Sequence, residues 1–212
     1  MKTKSSCLFF CSNLDKMLMM LRWISSYCSS KPSEFSFDHR RYVLFIDDDY
    51  YLNLKFLFDY LNQLEYDRDL TFDQRRQFIT GYVYKDSRPR RFYNDRWYIS
   101  LDEYPFDRYP PYVTAGCFLM TRSNVRLFNL ASKYVRFFRF DDIYMGLLAY
   151  SMSIKMIENN RLFSSYLSIW DRLSSKSKSN SSICLHGYRG NDLIQFWNDI
   201  YHTNLSLPVT IS

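Results

Sequence analysis

A short β-rich apolar run, Arg41–Ile46 (RYVLFI), ends directly in three consecutive aspartates, Asp47, Asp48 and Asp49. Surface strands alternate apolar with polar side chains, and this one does not. A strand apolar at every step has to bury both faces, as strands do inside a sheet covered by helices on both sides. In a chain whose strands alternate with helices, such a run predicts an α/β architecture with a largely parallel or mixed sheet. In that class ligands gather at the carboxyl ends of the strands, where the three aspartates stand.

The remaining periodicities agree. Leu14–Tyr27 (LDKMLMMLRWISSY) has Leu14, Met17, Leu18, Leu21 and Ile24 at helical spacing. A second helix is expected over Leu52–Leu64, a strand over Phe78–Tyr84, a strand over Thr114–Met120 and a helix over Val125–Tyr134. Between them, Asp86–Tyr112 is dense in Pro, Arg and Tyr without a clear period, which marks a long structured loop. Asp141 and Asp142 open a helix over Ile143–Ile154, Ser174–Ser182 is a polar loop, Ile183–Leu185 a short strand ending at His186, and Asp192–Tyr201 a last helix.

Composition narrows the class. With 212 residues, 47% hydrophobic, only 5 Gly and 6 Pro, the chain can bury a core and is neither disordered nor fibrous. No apolar run approaches the length of a membrane span. The 19 Tyr and 18 Phe offer flat faces for stacking on sugars or bases. A net charge of +6 suits an anionic partner such as a nucleotide, a nucleic acid or a lipid headgroup without choosing among them. The run Arg88-Pro89-Arg90-Arg91 could face phosphates or RNA, but no aromatic RNA-binding signature stands beside it, and nucleic acid is not the expected partner. Five cysteines form no C-x-x-C pair, which argues against zinc and leaves pairing and compartment open. Two sequons, at Asn180 and Asn204, would accept glycans if the chain entered the secretory route.

The acidic groups carry the chemistry. Along an extended backbone Asp47 and Asp49 project to one side, and two hard oxygen ligands at that spacing suit Mg²⁺ or Mn²⁺; a solvated turn at a strand end would look the same. Of Asp141 and Asp142, one suffices to cap a helix, which leaves the other able to take a proton from a sugar hydroxyl, ionised at neutral pH beside the helix dipole. His186, before Gly187, is a possible third metal ligand.

In order along the chain, Asn13-Leu14-Asp15-Lys16 with Trp23 and Cys28, the Tyr42–Tyr50 strand end, Arg96-Trp97-Tyr98-Ile99-Ser100 with Tyr104-Pro105 and Tyr109-Pro110-Pro111-Tyr112, Val113–Cys117, Phe140–Gly146 (FDDIYMG) and Leu185-His186-Gly187-Tyr188 resemble the motifs of the β-1,3-galactosyltransferase and β-1,3-N-acetylglucosaminyltransferase family, glycosyltransferase family 31. The resemblance implies an α/β, GT-A-like nucleotide-sugar transferase fold with a mixed, mostly parallel central sheet, and inverting transfer of galactose or N-acetylglucosamine from a UDP-sugar to the 3-hydroxyl of an acceptor glycan on protein or lipid. It implies Mn²⁺ or Mg²⁺ at Asp47 and Asp49, with Asp49 the nearer ligand and His186 on the metal or diphosphate, and Asp142 as base with Asp141 its runner-up. Asp48, Trp97, Tyr98, Tyr109, Tyr112 and Gly116 would line the substrate sites. It also implies the luminal side of the Golgi membrane, with membrane contact only through an anchor that this chain lacks.

Members carry an anchor, a stem and about a hundred residues of uridine-binding strands ahead of the first motif, a length near half a domain. Residues 1–12 are therefore expected to be a remnant of that region, 13–212 a partial catalytic domain with its front strands missing, and Val43 and Phe45 to be exposed at an open edge. A catalytically inactive relative that binds glycans is the alternative.

Overall fold

The computed structural model describes residues 8–10, 14–27, 42–67, 71, 77–162, 182–188 and 190–205. In chain order the elements are β1 (Leu8–Phe10), α1 (Leu14–Tyr27), β2 (Tyr42–Ile46), β3 (Tyr50–Leu52), α2 (Leu54–Tyr66), β4 (Ile79–Tyr84) and β5 (Tyr112–Thr121). They continue with α3 (Arg122–Ala131), α4 (Asp141–Ser151), β6 (Ile157–Glu158), a 3₁₀ turn (Asn160–Leu162), β7 (Cys184–His186) and α5 (Asn191–Leu205).

Side-chain alternation along β2 explains the layering. Val43 and Phe45 face one core with Leu14, Met17 and Leu21 of α1, Val125 and Phe128 of α3, and Tyr144 and Leu148 of α4. Tyr42, Leu44 and Ile46 face a second core with Leu57, Leu61 and Leu64 of α2. The partner strand β5 divides likewise, with Phe118 and Met120 on the first side, Cys117 and Leu119 on the second. All five residues of β2 are buried, as the uninterrupted apolar run requires. Phe45 and Phe118 are register partners whose rings stack with centroids 4.7 Å apart. The result is a mixed α/β architecture, helices on both faces of a sheet.

The described sheet has the order β1-β2-β5-β4-β6, with a separate pair β3-β7. It is mixed but not mostly parallel: β1 with β2 and β4 with β6 run parallel, whereas β5 is antiparallel to both β2 and β4. A continuous apolar run reports burial on two faces and carries no information about strand direction. The expected exposure of Val43 and Phe45 is also overturned, since they are 2% and 0% exposed. Residues 8–10, within the segment expected to be a remnant, form β1 and pair with Leu44–Ile46, while α1 and α3 cover the face.

The short strands β1, β3 and β6 have no counterpart in the sequence-based expectations. Helix α2 starts at Leu54 because Asn53 Oδ1 accepts the Phe56 N–H at its N-cap, and α3 starts after Thr121, whose Oγ1 accepts from Asn124 N–H. Residues 174–181 of the polar loop and the Asn180 sequon lie outside the described residues. A disulfide joins Cys117 of β5 to Cys184 of β7. Among the described residues no helix is long and apolar enough to cross a membrane.

Candidate functional site

The end of β2 does not stay extended. Asp48 and Asp49 form a turn, closed by the Tyr50 N–H donating to Asp47 O at 3.3 Å. Asp47 itself donates its N–H to Gly116 O at 2.9 Å, which ties the turn to β5. The strand alternation expected to aim Asp47 and Asp49 together thus ends at Ile46, and a different device orients Asp49. Its carbonyl accepts from both Gly187 N–H and Tyr188 N–H at 3.0 Å, and the following strand β3 pairs antiparallel with β7, Tyr50 opposite His186. His186 Nε2 then lies 3.3 Å from Asp49 Oδ2, and its ring rests on Tyr50 at 4.6 Å. Gly116 sits where the Tyr50 hydroxyl approaches the backbone, and a Cβ there would collide with it. Its part is to admit Tyr50 and to anchor Asp47.

Asp47 is electrostatically unfinished. Its Oδ1 is buried with no hydrogen-bond partner. Burial, and after it the negative charges of Asp141, Asp49 and Asp48, push its pKa up to about 7, against the opposing pull of Lys16. Among the described residues no three His, Cys, Asp or Glu side chains converge as a complete metal cage. The chemistry of the donors fits a hard divalent ion nonetheless: carboxylates, one imidazole and an orphaned buried oxygen, a partial set of the kind that Mg²⁺ and Mn²⁺ complete with water and phosphate oxygens.

Asp141 and Asp142 begin α4 behind Phe140, whose position makes no side-chain cap. Both cap with one oxygen: Asp141 Oδ1 accepts Asp142 N–H at 3.0 Å and Asp142 Oδ1 accepts Ile143 N–H at 2.7 Å. Burial raises both, Asp142 to about 6 with the charge of Asp141 adding to it. Against the expectation of an ordinary ionised carboxylate beside the helix dipole, burial outweighs the dipole and moves Asp142 toward neutral pH.

Asp142 opens into a cavity of about 350 Å³ whose wall includes Tyr84, Trp97, Tyr109, Tyr112 and Phe140. Trp97 is half exposed at 51% and meets Phe140 edge-on at 5.2 Å. Tyr98 packs instead against Tyr93 at 5.8 Å and is not part of the cavity wall. Tyr112 donates its hydroxyl to Ser87 Oγ at 3.0 Å, and α4 passes so close beneath that a Cβ on Gly146 would come within 2.7 Å of Tyr112 Cβ. Burial pushes Tyr109 and Tyr112 up to about 12, so both hydroxyls keep their protons.

The basic run separates into two roles. Arg91 is consumed by the loop, its Nη1 donating to the carbonyls of Ile99 and Ser100 and its Nη2 to those of Tyr104 and Phe106, all at 2.8–2.9 Å. Arg88 and Arg90 line the cavity. The cation density of the loop was the signal for them, but the spacing could not say which guanidinium folds inward. One strand links the acidic turn to the cavity: β5 carries Gly116, whose carbonyl holds the Asp47 N–H, and Tyr112, which lines the cavity.

The Galactosyltransferase family profile matches residues 10–160. The chain is 36% identical over 145 residues to β-1,3-galactosyltransferase brn of Drosophila melanogaster, an alignment covering 68% of this chain and 40% of that protein. It is 30% identical over 153 residues to β-1,3-galactosyltransferase bre-5 of Caenorhabditis elegans, covering 72% of this chain and 43% of that one. A UDP-GalNAc:β-1,3-N-acetylgalactosaminyltransferase 1 of Sus scrofa is 28% identical over 185 residues, 86% of this chain and 49% of the relative. The chain thus spans less than half the length of each of these relatives.

Proposed function

The chain belongs to the galactosyltransferase family, and on that premise we propose that it provides the metal turn, the base and the acceptor cavity of an inverting β-1,3-hexosyltransferase with a GT-A-like fold. The observation that carries the reading is the linking of two sites by one strand, β5: a carboxylate turn with Asp49 beside His186, and an aromatic cavity with Asp142 in its wall. The donor is a UDP-sugar carrying galactose or N-acetylglucosamine, to which the relatives' names add N-acetylgalactosamine.

In this reading Asp49 and His186, with Asp47 beside them, would hold Mn²⁺ or Mg²⁺, which would supply positive charge to neutralise the leaving diphosphate. Asp142 takes the proton from the acceptor 3-hydroxyl as that oxygen attacks the anomeric carbon. The bond from that carbon to the diphosphate oxygen breaks on the opposite face, so the configuration inverts and UDP leaves with the electron pair. A pKa near 6 suits the task, because a base close to working pH combines ionisation with proton affinity. Trp97, Tyr109 and Tyr112 would hold the sugar ring by its apolar face.

A luminal Golgi setting is part of the proposal, and the Cys117–Cys184 disulfide supports an oxidising compartment. The experiment is calorimetric titration of UDP with and without Mn²⁺, followed by transfer from UDP-galactose, UDP-N-acetylgalactosamine and UDP-N-acetylglucosamine to β-linked glycosides. Mn²⁺-dependent UDP binding with transfer from one donor is expected. Glycoside binding with neither UDP binding nor transfer would replace the reading by that of a non-catalytic glycan binder.

A further inference from the structure

Six cations lie in the segment 85–108, and the structure uses four of them internally. Lys85 pairs with Glu158 and Arg108 with Asp86. Arg91 serves four carbonyls, and the Arg96 guanidinium lies 5.0 Å over the Trp97 ring. Arg88 and Arg90 have no ion pair or side-chain hydrogen bond among the described residues, and these are the two that line the cavity. Of the described residues in the cavity wall, Asp142 is the one carboxylate.

Two fixed positive charges against one negative leave the cavity with a surplus that its own groups do not balance. Tyr109 and Tyr112 hold their protons and add none. When Asp142 accepts a proton the surplus grows by one. The rest of the wall is suited to a sugar ring: Tyr84 and Tyr112 lie 5.4 Å apart, with Trp97 at the mouth and Ser87 among the hydroxyls. At about 350 Å³ the volume is at the small end of ligand pockets, about 300–1,000 Å³.

We infer that the acceptor taken by this cavity is an anionic glycan, whose carboxylate, sulfate ester or phosphate ester is held by Arg88 and Arg90 while its ring lies on the aromatic wall. A guanidinium fork matches each of these oxyanions with paired N–H donors. The inference rests on the proposed function for its assignment of the cavity to the acceptor, and it adds the chemical class.

The test is binding to the full 212-residue chain without donor, so that it is independent of turnover. Methyl β-galactoside, its 6-sulfate, its 6-phosphate and methyl β-glucuronide are titrated by ligand-observed NMR, and the three charged probes distinguish the oxyanions. At least one of them binds about tenfold or more tighter than the neutral glycoside, as one strong charge-assisted contact provides, and the margin narrows at high salt. Arg88→Gln with Arg90→Gln removes the preference, and Arg88→Glu with Arg90→Glu reverses it; melting temperatures of both variants control for folding.

Equal affinity for charged and neutral probes, a preference that survives loss of both arginines, or no binding of any probe overturns the inference. So does weakening of UDP binding in the glutamine variant, which would assign the arginines to the donor diphosphate. Loss of the charge preference with Asp142-dependent transfer intact leaves the proposed function standing alone. The preference without any transfer does the reverse.

Discussion

His186 Nε2 lies 3.3 Å from Asp49 Oδ2 across 137 residues of sequence, because β3 and β7 pair directly behind the acidic turn. If these two groups are ligands of one divalent ion, Asp49→Ala and His186→Ala each weaken Mn²⁺-dependent UDP binding by about tenfold or more while metal-free binding changes little. Calorimetry with and without Mn²⁺ reads both. Asp47, held up at about 7, has to lose a proton to assist, so Mn²⁺ binding releases protons near neutral pH and weakens steadily below it. Equal heats in buffers of different ionisation enthalpy would remove Asp47 from the site.

Asp142 couples activity to stability with opposite signs. As the base it must be ionised, so the transfer rate falls about tenfold per pH unit below about 6. Its folded value lies above the ordinary 3.8, so the unfolded chain gives up this proton first as pH rises. The stability that the protonated group contributes is therefore full below about pH 4 and lost as pH climbs through about 6. Asp142→Asn stabilises the fold at pH 7 by about 1–3 kcal/mol, with little gain at pH 4, and lowers transfer by about a hundredfold or more. Melting at the two pH values and a rate profile check both halves; a destabilised asparagine variant at pH 7 would contradict the burial penalty.

The Cys117–Cys184 bridge closes a separation of 67 residues, and it stands beside both arms of the acidic site. Cys117 is the register partner of Ile46, next to Asp47, and Cys184 is two residues before His186. By loop entropy its removal costs about 4 kcal/mol, less if the reduced chain keeps residual structure. Cys117→Ser with Cys184→Ser should lower the melting temperature by several degrees and also weaken Mn²⁺-dependent UDP binding. A drop in melting temperature alone would make the bridge a fold element without influence on the turn.

What could be read from the sequence follows the range of the forces involved. β2 is legible because all five of its side chains are buried, and α1 because its apolar residues recur at helical spacing. β1 and β3 span three residues each and β6 two, so they have no period and exist only through their partners. Strand direction is not legible, because burial on both faces is the same for either direction, and β5 runs antiparallel to both β2 and β4. Asp49 and His186 stood out as chemistry, but the contact between them depends on a pairing across 137 residues that local patterns do not encode. The order of the motifs compensated, since it reports a shared fold rather than a local force.

Arg91 was hidden inside a basic run, and its four carbonyl contacts make it the staple of the 86–112 loop. Those carbonyls come from Ile99, Ser100, Tyr104 and Phe106, the stretch that brings Trp97 and Tyr109 to the cavity. Hydrogen bonds to a charged group are worth about 1.5–3 kcal/mol each but are not additive, so Arg91→Ala should cost about 3–5 kcal/mol in total. Arg91→Lys recovers little, because an ammonium has three donors on one point and no planar fork to span two pairs of carbonyls. The damage is local: hydrogen exchange rises across 86–112, while the buried β2 and β5 core keeps its protection. Glycoside binding falls in both variants, whereas the acidic turn, held by Gly116 O and by β7, keeps its Mn²⁺ response. Ile99, Tyr104 and Tyr109 also bury their side chains in the core, so loss of protection throughout the chain would mean that these contacts make the loop part of the core's cooperative unit and that Arg91 does not act on it separately.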